Sequence, residues 1–395
     1  MQRRVEKRGP WRVQLVVDRD QEYFREVVLG ARRRAFEAGR IEFVDRWLAH
    51  ELAGGLPALV RRDGVRGIVA ALHEPRREAE FAALGVPVVN VSNSMLAPRL
   101  PVATQDDWRV GRLAAEHLLG RGLRHFLFWG QTGARYSAER RAGFEAGLAE
   151  AGLGREALVC GGSEAEADEA GRGDFARMRA AVARLPRPAG VFAVLDYFAL
   201  ALLRAGRAEG RRVPEDLAVL GAGDDDFFVE FERTPLSSVR LPSREIGYAA
   251  AELLERLIAG EARADGATRV ELAGARVAAR RSTDTVAPGD ALVARAAELL
   301  RARPGAKVAE IARICGVARS GLQRRFLAAL GHGLAEERRR VRLARAEALL
   351  AGTDAKLAAV AAEAGYPSAQ RLAADLRRAH GCTPGAWRGR ATARG

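Results

Sequence analysis

Three consecutive carboxylates, Asp224 to Asp226, stand directly after the apolar run DLAVLGAG at residues 216–223. Clustered carboxylates can hold a metal ion or act as an acid/base pair. No His or nucleophile motif joins them, no P-loop occurs, and no GxGxxG follows a strand-like run. The sequence therefore disfavours an enzyme. A solvated loop at the end of a strand stays open as the alternative to a binding site.

Cationic and amide side chains alternate with apolar ones in a segment near the carboxyl terminus, residues 308–331. Leu322, Phe326 and Leu330 recur at helical spacing, and Gly316 supplies a tight turn before them. This pattern predicts a helix-turn-helix whose second helix turns polar side chains outward. Those side chains are suited to base edges and phosphates in a major groove. They are Arg319, Ser320, Gln323 and Arg324, with Arg325 next to them.

A second helix-turn-helix is predicted at residues 357–381, where Leu372 and Leu376 anchor the later helix. In this segment Ala369, Gln370 and Arg371 are expected to point outward. A basic, apolar-striped stretch at residues 337–350 would join the two motifs rigidly, and its Arg338 and Arg339 are predicted phosphate contacts.

The charge balance supports a polyanionic partner for the same region. The whole chain of 395 residues has a formal net charge of +14, and residues 286–395 hold 20 Lys and Arg against 9 Asp and Glu. A local basic excess favours nucleic acid, because each neutralised phosphate releases condensed counterions. A solvated, Arg-rich surface is the alternative that charge alone leaves open.

Other classes of site and location receive little support from the sequence. The three cysteines, Cys160, Cys315 and Cys382, lie far apart without CxxC spacing, and the six histidines are scattered, so neither a metal site nor a cofactor is expected. No apolar run approaches the length of a membrane span or of a signal-peptide core. The chain is expected to be cytoplasmic.

The elements that must position these residues change character along the chain. Short apolar runs bounded by Gly, Pro or Asp alternate with amphipathic helical stretches from Trp11 to about Arg281, which favours parallel sheets covered on both faces. About 270 residues of this pattern predict two α/β lobes with a cleft between them, followed by an all-α domain. The predicted strands lie at 11–17, 67–72, 86–92, 125–130, 189–195 and 216–223, and the predicted helices at 22–38, 108–120, 138–151, 175–185, 197–208 and 244–259.

The predicted domain boundaries follow the same change in character. They are a basic tail at 1–9, a two-lobed effector-binding domain at 10–284, a polar linker at 285–290 and a DNA-binding domain at 291–395.

The carboxy-terminal segment resembles the AraC family of bacterial transcription regulators over about 100 residues. The resemblance rests on RLARAEALL, on LAAVAAEAGY and on HGCTPGAWR, in which Gly381, Thr383, Pro384 and Arg388 match a G-x-T-P-x-x-[YW]-R ending. It implies two recognition helices that enter successive major grooves. Ala318 stands where the family often has a Ser cap, and Ala373, Ala374 and Leu376 replace an expected Ser-Arg and Phe. We therefore expect the first motif to read most of the bases and the second to act more as a brace.

The α/β segment resembles the periplasmic-binding-protein-like effector domain of LacI-type repressors, and the two domains together resemble the regulators of xylose operons. The matching stretches lie at 111–130, 138–153, 211–226, 234–260 and 279–284. The resemblance implies a sugar bound between the lobes, with Asp, Asn, Arg and aromatic side chains around it. The residues that it places in this cleft are Tyr23, Arg25, Arg140, Asp196, Asp224 and Asp225.

Three departures from that pattern bear on the ligand. Leu195 replaces a usual Asn, Gly223 replaces a usual Asp, and the first loop reads DRDQ at residues 18–21. The resemblance also implies a homodimer on repeated DNA half-sites and, for an activator, contact with RNA polymerase. A regulator of the same architecture that answers to a non-sugar ligand, or to none, is the alternative.

Overall fold

The computed structural model of the chain divides into two compact units. The first, here called the α/β unit, comprises residues 1–119 and 124–283, and the second, the helical unit, comprises 120–123 and 284–395. Residues 1–8 of the predicted tail and 286–290 of the predicted linker lie outside the described residues, and the predicted boundaries stay a prediction. The structure describes residues 9–18, 21–44, 55–163, 172–229, 234–285, 291–330, 332–353, 355–380 and 382–392.

Strands and helices alternate through the α/β unit, and helices alone follow. The described strands are β1 (Trp11–Val16), β2 (Ile41–Val44), β3 (Gly67–Ala70), β4 (Val88–Asn90), β5 (Val102–Gln105), β6 (Phe126–Gln131), β7 (Leu158–Ser163), β8 (Ala189–Ala193), β9 (Leu217–Gly223), β10 (Ser237–Arg240), β11 (Arg269–Leu272) and β12 (Arg276–Ala278). The helices of the α/β unit are α1 (Glu22–Ala38), α2 (Gly55–Arg62), α3 (Pro75–Ala82), α4 (Asp107–Leu119), α5 (Arg135–Glu150), α6 (Arg172–Arg184), α7 (Asp196–Ala208), α8 (Asp226–Val229) and α9 (Ser243–Ile258). The helical unit contains α10 (Ala291–Ala302), α11 (Val308–Ile314), α12 (Arg319–Leu330), α13 (Leu334–Gly352), α14 (Leu357–Glu363), α15 (Ala369–His380) and α16 (Pro384–Thr392).

The described strands form two sheets of six, one in each lobe of the α/β unit. The order is β11-β5-β4-β3-β1-β2 in the first lobe and β12-β10-β9-β8-β6-β7 in the second. The pairs are parallel except β10 with β12. Helices α1 and α9 pack on the first sheet, and α4 to α7 belong to the second lobe. The chain therefore crosses between lobes at three places, namely 105–107, 240–243 and 272–276.

Helices α4 and α5 of the second lobe are packed unusually closely, and this contact positions a side chain that matters below. A Cβ atom added to Gly111 of α4 would lie 1.8 Å from the carbonyl oxygen of Arg140 on α5, and one added to Gly143 would lie 1.8 Å from that of Trp108. Only a glycine permits backbones to approach this closely. The contact brings Arg140 beside Asp107, the first residue of α4.

The core of each lobe is made by its apolar strands. Val13, Val69 and Val89 of the first sheet are fully buried against Val27 and Ala250. In the second lobe Phe126, Phe128, Phe144 and Phe192 form a ring cluster with centroid distances between 5.4 and 6.2 Å. Such aromatic contacts add to the stabilisation from burial alone.

The helical unit has two cores, one for each helix-turn-helix. Ile311, Leu322 and Phe326 are buried in the first, and Val360, Leu372 and Leu376 are buried in the second. Helix α13 lies between them in the chain. Its Arg342 donates to the carbonyl oxygen of Pro304 at 2.7 Å, which ties the loop after α10 to the helix that joins the two motifs.

The predicted fold class, a two-lobed periplasmic-binding-protein-like domain followed by an all-α domain with two helix-turn-helix motifs, is confirmed. All six predicted helices of the α/β unit are present, within a few residues of their predicted ends. The six predicted strands are present as well. The sequence did not predict β2, β5, β7, β10, β11 or β12, nor the short helices α2, α3 and α8.

No helix in the described part of the chain combines the length and the apolar character that crossing a bilayer requires.

Replacing Gly321 with alanine should raise the free energy of unfolding of the helical unit by about 0.5–1 kcal/mol. Gly321 lies inside α12, and no described heavy atom lies within 4 Å of the position that a Cβ would take. Alanine would thus lose less conformational entropy on folding without a clash. Urea unfolding followed by circular dichroism measures the change. Gly316→Ala is the matched control, since Gly316 has a φ of +71° and should cost stability instead; an equal loss in both variants would contradict the prediction.

Candidate functional site

The candidate effector site lies where the carboxyl ends of strands from both lobes meet. Asn93 follows β4, Asp107 follows β5, and Val194 follows β8. Arg140 contacts both Asp107 and Val194. Ligands of doubly wound α/β folds bind outside the carboxyl ends of the strands, which makes this region the candidate cleft.

Arg140 is at the centre of the cleft and is almost fully buried, with 2% of its surface exposed. Its Nε donates to Asp107 Oδ1 at 2.7 Å, and Nη1 donates to the carbonyl oxygen of Val194. The guanidinium also lies 5.1 Å from the ring centroid of Tyr136. A planar fork held by a carboxylate and an aromatic face has a fixed orientation.

Asp107 is one of the residues of this site that the sequence analysis missed. Its carboxylate accepts hydrogen bonds from Asn93 Nδ2 at 2.6 Å and from Gln105 Nε2 at 2.9 Å, besides that from Arg140. These three donors fix the position of the carboxylate beside Arg140. The signal available in the sequence was the pair of acidic residues at 106–107 directly before an amphipathic helix, which is typical of a helix start.

Asp196 begins α7, and its carboxylate is turned into the end of β9. Ser238 Oγ donates to Oδ1 at 2.6 Å, and the backbone N–H of Asp225 donates to Oδ2 at 3.0 Å. A Cβ on Gly221 would lie 2.2 Å from Oδ1, and one on Gly223 3.0 Å from Oδ2, so both glycines make room for this side chain. Burial raises the pKa of Asp196 to about 7, against the lowering effect of the Ser238 and Asp225 hydrogen bonds.

Asp224 has an unusual backbone conformation and two cationic partners. Its φ is +59°, a left-handed value that is uncommon outside glycine, and its N–H donates to Ser238 Oγ at 3.0 Å. Its carboxylate accepts from Arg240 and, at 2.6 Å, from Nη1 of Arg280. These partners hold Asp224 inside the second lobe in the present conformation.

The remaining predicted effector residues lie around the first helix. The hydroxyl of Tyr23 lies 3.2 Å from the carbonyl oxygen of Val91 and 3.3 Å from Gln105 Oε1, and burial raises the pKa of Tyr23. Arg25 is exposed. The carboxylate of Asp225 accepts from the N–H groups of Phe227, at 3.0 Å, and of Glu22, at 3.2 Å.

Two serines and a histidine after β3 and β4 also belong to this region, and the sequence analysis missed them. Ser92 Oγ lies 2.9 Å from His73 Nδ1 and 3.0 Å from Ser94 Oγ. His73 lies against Phe24, with ring centroids 6.1 Å apart. Hydroxyl and imidazole groups beside aromatic rings are groups that could hydrogen-bond a polyhydroxylated ligand. His73 directly follows the predicted strand at 67–72, and Ser92 and Ser94 lie at the end of the predicted strand at 86–92 and just after it, so these positions could have indicated them.

The candidate DNA-binding surface is the outer face of α12. Leu322 and Phe326 are buried, whereas the polar residues between them are turned to solvent. The exposed set comprises all five residues predicted here, namely Arg319, Ser320, Gln323, Arg324 and Arg325. A recognition helix requires this arrangement, with one face in the core and the other free for a groove.

The second helix-turn-helix shows the same arrangement. Gln370 and Arg371 of α15 are exposed, whereas Ala369 is partly buried against the second core and does not point outward as expected. The helix also carries a carboxylate, Asp375, that is 3% exposed. Arg371 Nε lies 4.0 Å from it.

Arg338 and Arg339 of α13 have partners within the helical unit. Arg338 Nη2 donates weakly to the carbonyl oxygen of Gly305 at 3.4 Å, and Arg339 donates to Glu336, which raises the pKa of Arg339. Their predicted role in phosphate binding stays a prediction.

Two families of domains match the chain. Residues 115–283 match the periplasmic binding protein-like domain, and residues 311–390 match a helix-turn-helix domain. The chain is also 30% identical over 332 residues to the xylose operon regulatory protein of Escherichia coli K12, an alignment that covers 82% of this chain and 83% of that protein. The chain belongs to the family of xylose operon regulatory proteins.

Solved structures agree with membership of the xylose operon regulator family. The structure of the xylose-binding transcription activator XylR has a TM-score of 0.63 to this chain, with 26% identity, and covers 96% of this chain and 97% of its own. A complex of the regulator CelR with cellobiose has a TM-score of 0.54 and 25% identity, and covers 69% of this chain and 85% of its own. The resemblance drawn from the sequence motifs, to AraC-type and LacI-type domains in one chain, is thereby confirmed.

Proposed function

We propose that this xylose operon regulator homologue binds double-stranded DNA through α12 and α15 and that a sugar bound between its lobes controls that binding. The observation that supports DNA binding best is the outer face of α12, where five neighbouring polar side chains are exposed while Leu322 and Phe326 hold the helix in its core. A single helix of this kind can present several side chains to base edges at once.

A sugar is the effector class that the cleft chemistry favours. Of the two similar structures, one is a xylose-binding activator and the other is a regulator in complex with cellobiose. In this chain, Arg140, Asp107 and Asn93 form a buried hydrogen-bonding network, and Tyr136 lies against the guanidinium. Donors and acceptors of this density beside an aromatic ring suit the hydroxyls and the apolar face of a sugar. A pentose is the finer proposal, because one similar structure, which covers 96% of this chain, is that of a xylose-binding activator.

The departures at Leu195 and Gly223 bear differently on this proposal. Gly223 faces the carboxylate of Asp196, so this position still adjoins a polar group. Leu195 is half-buried at the start of α7 and adds an apolar surface. An effector other than a sugar, or none, remains the second candidate, and Leu195 is the observation that favours it.

The proposed mechanism is a shift between two arrangements of the lobes. A ligand changes such an equilibrium only by its differential affinity for the two states, typically about 1–3 kcal/mol. In a cytoplasmic homodimer on repeated half-sites, this change would alter the placement of the two DNA-binding domains. Contact with RNA polymerase belongs to the proposal only if the protein activates transcription, and no catalytic step is part of it.

Replacing Gln323 or Arg324 with alanine should weaken binding to the operator by about 1–3 kcal/mol and relax the base preference at the contacted position. Fluorescence anisotropy against operator and scrambled duplexes at one fixed salt concentration measures both effects. Arg141→Ala, an exposed change on α5, is the control and should leave both affinities unchanged. Equal losses on operator and scrambled DNA would refute base reading by these residues and leave only phosphate contact.

A thermal-shift panel tests the effector separately from the DNA. Xylose, arabinose, ribose and cellobiose are added over a concentration series, and the bound sugar should stabilise the α/β unit by about RT ln(1 + [L]/Kd). Arg140→Lys keeps the positive charge but loses the planar guanidinium. This variant should no longer be stabilised by the sugar. A flat panel with operator binding intact would reject sugar sensing and retain the DNA-binding function.

A further inference from the structure

The helices that face each other across the cleft begin without caps of their own. Among the described contacts, the N-cap residues of α1 and α5, Gln21 and Ala134, have no side-chain hydrogen bond to the helix start. The first backbone N–H groups of a helix have no partner within the helix and need one elsewhere. The partners of these two helices come from the opposite lobe.

At one rim of the cleft the two lobes cap each other reciprocally. The backbone N–H of Glu22, at the start of α1 in the first lobe, donates to Asp225 Oδ2 of the second lobe at 3.2 Å. The N–H of Asp226, at the start of α8 in the second lobe, donates to Glu22 Oε2 at 2.7 Å. Each carboxylate therefore accepts from the first backbone N–H of a helix that belongs to the other lobe.

At the other rim, backbone N–H groups of the second lobe donate directly to carbonyl oxygens of the first lobe. The first two residues of α5 in the second lobe, Arg135 and Tyr136, donate through their N–H groups to the carbonyl oxygens of Ser94 and Asn93 in the first lobe, each at 2.9 Å. The side chain of Asn93 adds a hydrogen bond to Glu139 of α5 at 2.8 Å. These bonds do not depend on a ligand.

We propose that Glu22 and the start of α5 form a latch that holds the cleft closed before any effector binds. Opening the lobes would remove the caps of α1, α5 and α8 together, so the closed state gains from all of them at once. The effector then binds a conformation that the free protein already populates. The strength of the latch therefore sets how much effector binding can change the populations of open and closed lobes. This inference rests on the proposed effector cleft but not on the identity of the ligand.

Hydrogen exchange of the full chain without added sugar tests the latch. In the wild type, peptides containing Arg135 and Tyr136 should exchange slowly. Glu22→Ala removes the carboxylate at one rim, and the exchange at Arg135 and Tyr136, at the opposite rim, should become about tenfold faster, as local opening becomes easier. Glu22 makes no described contact at that rim, so a purely local effect would leave those peptides unchanged.

Glu26→Ala is the matched control for the latch. Glu26 lies one turn further along α1 and pairs with Arg244 of the same lobe, at 2.7 Å, so its loss removes a carboxylate but no bond across the cleft. In the Glu26→Ala variant, the amides of Arg135 and Tyr136 should exchange at the wild-type rate. Slow exchange of the β6 core in every variant shows that the fold is intact. If Glu22→Ala fails that check, Glu22→Leu, which also lacks an oxygen acceptor, repeats the test.

Two results would overturn the latch. One is fast exchange at Arg135 and Tyr136 in the wild type, which would mean an open cleft. The other is an unchanged rate in a folded Glu22 variant. Neither result affects the operator-binding and thermal-shift experiments, so the latch can fail while the proposed function stands.

Discussion

Replacing Arg140 with alanine should lower the free energy of unfolding of the α/β unit by about 3–5 kcal/mol. The side chains of Arg140 and Asp107 are 2% and 0% exposed, and Arg140 Nε lies 2.7 Å from Asp107 Oδ1. Removing the guanidinium leaves the carboxylate of Asp107 buried without its cation. Asn93 and Gln105 would still donate to it, but neutral donors do not replace a charge.

Urea unfolding of the full chain, followed by the fluorescence of the buried Trp129, measures this loss in the second lobe. Arg141→Ala is the matched control, because Arg141 is the next residue of α5 and pairs with Glu145 in solvent, where the two side chains are 50% and 42% exposed. Exposed ion pairs contribute about 0–1 kcal/mol, so the control should change little. If both variants lose the same small amount, the Arg140 pair is solvated in solution and the buried network is wrong.

The helices of this protein could be predicted from the sequence because their pattern is local. Val27, Val28, Ala31 and Ala35 recur at the helical period, and α1 begins and ends at its predicted residues. The strands that were missed lack a local pattern. Strand β5 reads VATQ, in which buried Thr104 and Gln105 look polar, and β7 reads LVCGGS, in which two glycines suggest a loop. Their pairing in the sheet decides their conformation, and that information is not local.

In the candidate site too, the sequence predicts some residues, whereas tertiary contacts determine their partners. The resemblance predicts Arg140, Asp196 and Asp224 as cleft residues, but their partners come from segments far along the chain, such as Arg280 for Asp224. In the sequence, Gly223 replaces a usual Asp and so predicts one polar partner fewer for the ligand. The structure gives it a positive role, since a side chain at this position, where φ is +132°, would press on the carboxylate of Asp196. Only the tertiary contact distinguishes the two interpretations.

The stability of the α/β unit should decrease as the pH rises from about 4 to about 7, because of Asp196. The pKa of this group rises from 3.8 to about 7 on folding, chiefly by burial, so the folded state binds more protons within that window. The free energy of unfolding therefore falls as the pH rises through that window, because the folded state loses its extra proton there. The contribution is complete below the unfolded pKa and is lost as the pH passes the folded pKa. At about 1.4 kcal/mol per pKa unit, the total is on the order of 4 kcal/mol.

Asp196→Asn isolates this contribution, because the amide keeps an oxygen acceptor for Ser238 or for the N–H of Asp225 but does not titrate. The difference in unfolding free energy between variant and wild type should grow in favour of the variant between pH 5 and pH 8, while all other groups cancel. Glu37→Gln is the control of opposite sign, since Arg33 lowers the pKa of this exposed carboxyl and its small contribution should be lost towards low pH.

Parallel curves for Asp196→Asn and the wild type would mean that Asp196 is already ionised at pH 5. The turn between β9 and α8 would then be held by a carboxylate that accepts from Ser238 and from the N–H of Asp225, which favour the charged form. A growing difference would mean that burial dominates and that Asp196 is a neutral acid at the end of β9 under mildly acidic conditions. A neutral acid can donate a hydrogen bond as well as accept one. The pH profile therefore also decides which hydrogen-bonding role Asp196 could offer to an effector.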